Sequence, residues 1–170
     1  MRKFYPEPLT PEEFSPYGDV IAFPSMRAGA VANGGTALRF DGIAKIELMA
    51  QGGRPELSYF RVEPISLPHK CYEMERHPIS SQMFIPIGNQ RFLIVVALGE
   101  DEPDMSTLRI FMSEPNVGVN YFPGTWHHAV IAVDVRTDFL VLGRSKIHDD
   151  EDVDFVRLKP DQLFTIHPST

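Results

Sequence analysis

Cysteine occurs only once in the 170 residues, at Cys71. A lone cysteine excludes an intramolecular disulfide and a cysteine-built zinc cage. Basic runs are missing, and the formal net charge is −7. Nucleic acid surfaces need clustered Lys and Arg, so nucleic acid is not an expected partner. An anionic small molecule stays compatible, because one buried arginine can decide that locally. Long apolar stretches are absent too. The longest, residues 92–98, is far too short to cross a bilayer. The opening Met1-Arg2-Lys3-Phe4-Tyr5-Pro6-Glu7 has no apolar signal-peptide core. A cytoplasmic protein with no membrane partner is expected.

What the chain does have is a core-forming composition: 43% hydrophobic against 23% charged residues, enough for a single domain over residues 1–170. Fifteen prolines and twelve glycines mark many turns and favour a β plan. Thr10-Pro11-Glu12-Glu13-Phe14 reads as a short helix, with Thr10 as cap, Pro11 at the first position and Glu13 completing a capping box. Extended segments are expected at 19–23, 44–48, 57–62, 83–87, 91–97, 107–112, 118–122, 126–133, 138–142 and 154–158. Residues 24–37 read as a loop with a turn at Asn33-Gly34-Gly35, and 160–163 as a closing turn. Short strands without a long amphipathic helix leave a sandwich or a barrel.

Two segments concentrate chemistry. In Glu73-Met74-Glu75-Arg76-His77-Pro78-Ile79-Ser80-Ser81-Gln82, the spacing of two puts Glu75 and His77 on one face of an extended backbone. In Pro123-Gly124-Thr125-Trp126-His127-His128, a Pro-Gly turn delivers two histidines to a strand, and only one of them can face inward.

Together these segments resemble the two halves of the cupin signature. Glu75 and His77 stand at the paired-histidine positions, Gln82 at the glutamate position, and His127 closes the second half. The flanks narrow the likeness. Met74-Glu75-Arg76-His77-Pro78, Gln82-Met83-Phe84-Ile85-Pro86, Gly118-Val119-Asn120-Tyr121 and Trp126-His127-His128 together resemble the ureidoglycolate lyase family, also called ureidoglycolate hydrolase. Phe14-Ser15-Pro16-Tyr17-Gly18-Asp19 and Thr137-Asp138-Phe139-Leu140 extend the match. Phe122-Pro123, Ala129 and Asp41 depart from the family's usual residues.

The resemblance implies an all-β, cupin-like β-barrel (a double-stranded β-helix or jelly roll) with a short N-terminal helix. It implies cleavage of ureidoglycolate into glyoxylate and urea, a carbon–nitrogen lyase reaction of the amidine-lyase class, within allantoin and purine degradation. A homodimer is also implied, with apolar edge strands such as 92–97 as candidates to pair across subunits. Glu75, His77 and His127 are the catalytic candidates, with an imidazole as base and Glu75, raised by an apolar setting, as acid. For substrate binding, Arg39 is the first carboxylate partner and Arg144 the second; Gln82 suits the neutral ureido group, and Tyr121 is a further candidate. A divalent ion (Ni, Zn or Mn) at Glu75, His77, Gln82 and His127 is compatible but not required, since a neutral Gln is a weak ligand. The competing functions are another metal-dependent cupin, an isomerase or dioxygenase, and a non-catalytic binder of small acids.

Plainer readings stand beside these. His77 and His127 also suit ordinary strand histidines, and Glu75 and Glu73 suit edge charges that block strand pairing. His128 reads as outward, Trp126 and Phe84 as core, and Cys71 as a buried inert thiol. The run Asp149-Asp150-Glu151-Asp152 with Asp154 lacks EF-hand spacing and reads as a solvated loop. His148 and His167 have no partner nearby in sequence.

Overall fold

The computed structural model describes residues 1–22, 28–145 and 152–169. Among the described residues the fold is all-β and cupin-like, with one short α-helix. Two large sheets carry it. One runs in the order Asp154–Arg157, Glu73–Arg76, Trp126–His127, Phe92–Ala97, Arg109–Met112 and Glu7–Pro8, with Ile131–Ala132 also paired to Phe92–Ala97. The other runs Gly18–Ile21, Gly118–Tyr121, Gln82–Ile87, Thr137–Ser145 and Arg54–Val62. A three-stranded sheet of Arg2–Phe4, Phe164–Ile166 and His69–Cys71 forms a third layer.

The strand Phe92–Ala97 explains the layering. Six consecutive apolar residues are buried on both faces, the pattern of a central strand. Phe92, Ile94 and Val96 join the core between the two large sheets, with Phe84, Phe111, Tyr121, Phe139 and Val141. Leu93, Val95 and Ala97 point the other way, to Cys71, Met74, Trp126, Phe164 and Ile166. The strand is flanked on both sides by hydrogen-bonded neighbours. It therefore has no free edge, which corrects the expectation that it pairs across subunits.

Most other expected elements form, with informative exceptions. The helix spans Pro11–Phe14, and the Thr10 hydroxyl accepts from Glu13 N–H at 3.2 Å. The return half of the capping box does not form, because Arg109 draws the Glu13 carboxylate into an ion pair at 2.8 Å. Segment 44–48 is no ladder strand: the Lys45 N–H donates to the Asp19 carboxylate and the Glu47 N–H to the Ser81 hydroxyl. Side chains there replace a strand partner, which an apolar pattern cannot reveal. Within 24–37 the structure adds a hairpin, Ala30–Ala32 with Ala37–Arg39, around the expected turn. Residues 126–133 split into two short strands.

The acidic run needs a larger correction. Asp149, Asp150, Glu151 and His148 lie outside the described residues. Asp152 is 8% exposed, and its carboxylate accepts from the Ile79 N–H at 2.9 Å and from the Ser80 hydroxyl. Asp154 pairs with Arg76 at 2.7 Å. Asp152 ties the start of strand Asp154–Arg157 to the 77–81 corner rather than lying solvated, and Asp154, 46% exposed, ties that strand to Glu73–Arg76.

Candidate active site

The corner after strand Glu73–Arg76 and the turn before His127 are built against each other. Phe122-Pro123-Gly124-Thr125 closes with the Thr125 N–H donating to the Phe122 carbonyl at 3.1 Å, and Gly124 has φ +82°. Proline second and a left-handed glycine third is the type II arrangement. The Gly124 N–H then donates to the His77 carbonyl at 2.8 Å, so the turn that places His127 is clamped to His77.

His127 is the direct cross-strand partner of Glu75, and such pairs share a face. His127 Nε2 lies 3.4 Å from Glu75 Oε1. The His77 and His127 rings are 5.6 Å apart, and Tyr121 stacks on His127 at 4.5 Å. One ligand atom from each of Glu75, His77 and His127 falls within 4.8 Å of the others.

Hydrogen bonding fixes how these rings present themselves. His77 Nδ1 meets the Asp152 carbonyl at 2.6 Å, and His127 Nδ1 meets the Thr125 carbonyl at 3.0 Å. A carbonyl only accepts, so each Nδ1 carries the proton and donates it. His77 Nε2, Gln82 Oε1 and the Tyr121 hydroxyl are buried without a hydrogen-bond partner among the described residues, and His127 Nε2 has beside it the Glu75 carboxylate at 3.4 Å. Unpartnered buried polar atoms are costly. Three of them, on His77, Tyr121 and the cross-strand partner of Tyr121, Gln82, mark a place prepared for something to bind.

Electrostatics assigns protonation states. Burial, then the neighbouring His127, pushes His77 below its ordinary value near 6.5, so its Nε2 carries a lone pair at neutral pH. The His127 contact holds Glu75 below the ordinary carboxylate range, against the burial that would raise it. This corrects the expectation of a protonated Glu75 acid: the imidazole opposite outweighs the apolar walls. Burial, then the Glu75 charge, raises the Tyr121 phenol, which therefore remains an O–H donor.

Beside this cluster opens a cavity of about 390 Å³ whose lining includes His77, Gln82, Ser80, Ser81, Phe60 and Arg144. His77 and Gln82 belong to both cluster and cavity. Among the described residues, Arg144 is the only lysine or arginine in the lining. Its guanidinium donates to the Ala50 carbonyl at 3.2 Å and the Gln51 carbonyl at 3.4 Å. A Cβ added at Gly53 would collide with the Arg144 side chain, so the small residue makes room for it. Arg39 does not line this cavity; it pairs with Asp41 at 3.0 Å and is 67% exposed. Of the two arginine candidates, the structure brings Arg144 and not Arg39 to the cavity. Charge and sequence position alone did not separate them.

Trp126 and Phe84 are core residues, as expected. His128 faces away from His127, against His69. Asp152 is the site residue that sequence reasoning missed. Its carbonyl fixes the His77 tautomer and its carboxylate holds the 79–80 backbone, yet in sequence it belongs to an acidic run.

Chemically, the residues offer a carboxylate and two Nε2 positions, the donor set of a two-histidine, one-carboxylate site with open positions. Gln82 Oε1 is a fourth candidate donor. Nδ1 anchoring on backbone carbonyls is the usual support for metal-bound imidazoles. The same set also suits proton transfer in a water-poor pocket.

A family model described as ureidoglycolate lyase matches residues 1–165. The chain is 44% identical to the ureidoglycolate lyase of Escherichia coli O139:H28 over 137 residues, covering 81% of this chain and 84% of that protein. It is 46% identical over 140 residues to the ureidoglycolate lyase of Burkholderia cepacia, covering 81% and 77% respectively. A solved dTDP sugar isomerase from Desulfovibrio desulfuricans G20 aligns with a TM-score of 0.46 and 16% identity, covering 85% of this chain and 83% of that one. A likeness that weak carries no argument.

Proposed function

The chain belongs to the ureidoglycolate lyase family, and from that premise we propose that it cleaves ureidoglycolate into glyoxylate and urea at the Glu75–His77–His127 cluster. The substrate carbon carries a hydroxyl, a carboxylate and a urea nitrogen. The hydroxyl proton leaves, its oxygen becomes the aldehyde carbonyl, the C–N bond breaks, and the urea nitrogen takes a proton. No water is consumed, so the step is an elimination of the carbon–nitrogen, amidine-lyase class.

The observation that carries this reading is the buried, unpartnered Nε2 of a neutral His77, a residue that also lines the cavity. His77 takes the hydroxyl proton there and returns it to the departing nitrogen. Its Nδ1–H stays on the Asp152 carbonyl throughout, which keeps the ring aimed. Glu75 remains ionised and stabilises positive charge on the imidazoles as the proton arrives. Gln82 and the Tyr121 hydroxyl supply neutral hydrogen bonds to the ureido group and the developing oxygen. Arg144 takes the carboxylate.

A second reading rests on the paired Nε2 atoms and the Glu75 carboxylate. These residues, with Gln82, would hold a divalent ion such as Ni²⁺, Zn²⁺ or Mn²⁺, which would polarise the substrate's oxygens when bound. Elemental analysis of untagged protein and turnover after chelation separate the two. The protein is tested by following urea and glyoxylate separately. Equal release of both supports the proposal, and turnover with no urea formed removes it.

We also propose a homodimer formed through the outer face of the five-stranded sheet. Leu57, Tyr59, Leu140 and Ile85 are exposed there and adjacent in register. An apolar patch of that kind marks an interface. Light scattering of a Leu57→Lys, Leu140→Lys variant should report a monomer; an unchanged mass places the contact elsewhere.

A further inference from the structure

We propose a second metal site, formed by His69, Cys71 and His128 on the opposite side of the six-strand run from the catalytic cluster, that takes a thiophilic divalent d-block ion of the zinc type.

His69 and Cys71 are two apart on strand His69–Cys71, so both side chains leave the same face. That strand is held in register by Phe164–Ile166. His128 comes from the end of a different strand, with its N–H on the Val95 carbonyl at 3.1 Å. One nitrogen of each imidazole and the Cys71 sulfur lie within 4.8 Å of one another. The two rings meet edge to face at 5.8 Å. His128 Nδ1 donates to the Ala129 carbonyl at 2.8 Å, which leaves its Nε2 lone pair for a ligand bond.

Around the imidazoles is a concavity of about 550 Å³ lined by His69, His128, Glu73 and Tyr72 among others. The sulfur lies behind them in the apolar core, fully buried. The ion would therefore have protein ligands at its back and an open position toward the concavity. In a tetrahedral zinc site, ligand atoms stand roughly 3.4 Å apart. Closing from within 4.8 Å takes side-chain adjustments of about 1 Å.

The donor set selects the ion. Thiolate with two imidazoles suits zinc and its neighbours and gives little to magnesium or calcium. Burial pushes the thiol up to about 12, and burial with the His128 charge lowers His69. The free protein thus presents a thiol and a neutral imidazole. On binding, one S–H bond breaks, one metal–sulfur and two metal–nitrogen bonds form, and one proton goes to solvent. No change of oxidation state is involved.

The test uses the metal-stripped full chain titrated with Co²⁺ and Zn²⁺. Cobalt should produce a near-ultraviolet sulfur-to-metal charge-transfer band that Zn²⁺ displaces. The band should be kept in His127→Ala, which alters only the catalytic cluster, and lost in Cys71→Ser. His69→Ala and His128→Ala change half-buried residues and keep the core sulfur, so they cover the case in which Cys71→Ser fails to fold. Each should weaken Zn²⁺ by about 100-fold or more, since even outer partners of a metal site are worth 10–100-fold. No charge-transfer band in the unaltered protein, or unchanged affinity in both histidine variants, overturns the site.

Discussion

His127 and His128 are neighbours in sequence and face opposite sides of one sheet, and the two environments differ in kind. His127 looks into the space between the large sheets, where it meets Glu75, His77 and Tyr121. His128 looks toward the third layer, where it meets His69 and Cys71. The inner trio has a carboxylate and opens, through His77, onto a cavity containing Arg144. The outer trio has a sulfur backed by apolar core. A carboxylate between imidazoles organises proton transfer, whereas a buried thiol between imidazoles organises only affinity for a soft ion. On the proposed assignments, alternation along a strand separates chemistry from binding within two consecutive residues.

The largest expected effect tests that division directly. His77→Ala should lower kcat by about 10²- to 10⁴-fold, the range for losing a positioned acid–base group. The outer counterpart His69→Ala should stay within about twofold, since it touches no part of the cavity. Steady-state turnover of ureidoglycolate reads both, and equal losses would erase the distinction between the faces. Next in size is the pair of arginines. Arg144→Ala should reduce kcat/KM by roughly 10- to 100-fold, the value of a hydrogen-bonded charge pair, mostly through KM. Arg39→Ala should change neither constant.

The inner face also depends on its corner. Asp152→Asn removes a charged acceptor from the Ile79 N–H and the Ser80 hydroxyl, and should cost about 1–3 kcal/mol of stability by chemical denaturation. An unchanged midpoint would mean the corner holds itself. The smallest effect is in pH dependence. The folded His77 binds its proton below its ordinary value near 6.5, so the unfolded chain holds more protons just under that pH. Stability and kcat/KM should both fall as pH drops from 6.5 through the folded value. An acid limb centred above 6.5 would show that another group controls it.

Much of the architecture was legible because it rests on local signals. The capped Thr10-Pro11 helix start, the Asn33-Gly34 turn and the Pro123-Gly124 turn all form where their chemistry demands. Glu75 and His77 come together as their spacing of two suggests, although the strand ends at Arg76. The missed features depend on partners distant in sequence. Segment 44–48 looks like a strand until Asp19 and Ser81 supply its hydrogen bonds. Asp152 looks solvated until Ser80 and His77 come to it. Glu75 looks like an acid until His127 stands opposite. Residue type and spacing propose a group's chemistry, but its cross-strand neighbour sets its protonation.

The most direct measurement compares His127→Ala with His128→Ala in one assay that quantifies urea and glyoxylate together. Loss of most turnover in the first and near-normal release of both products in the second is the predicted result. A His127→Ala protein that keeps the unaltered rate would contradict the placement of the chemistry between the two large sheets.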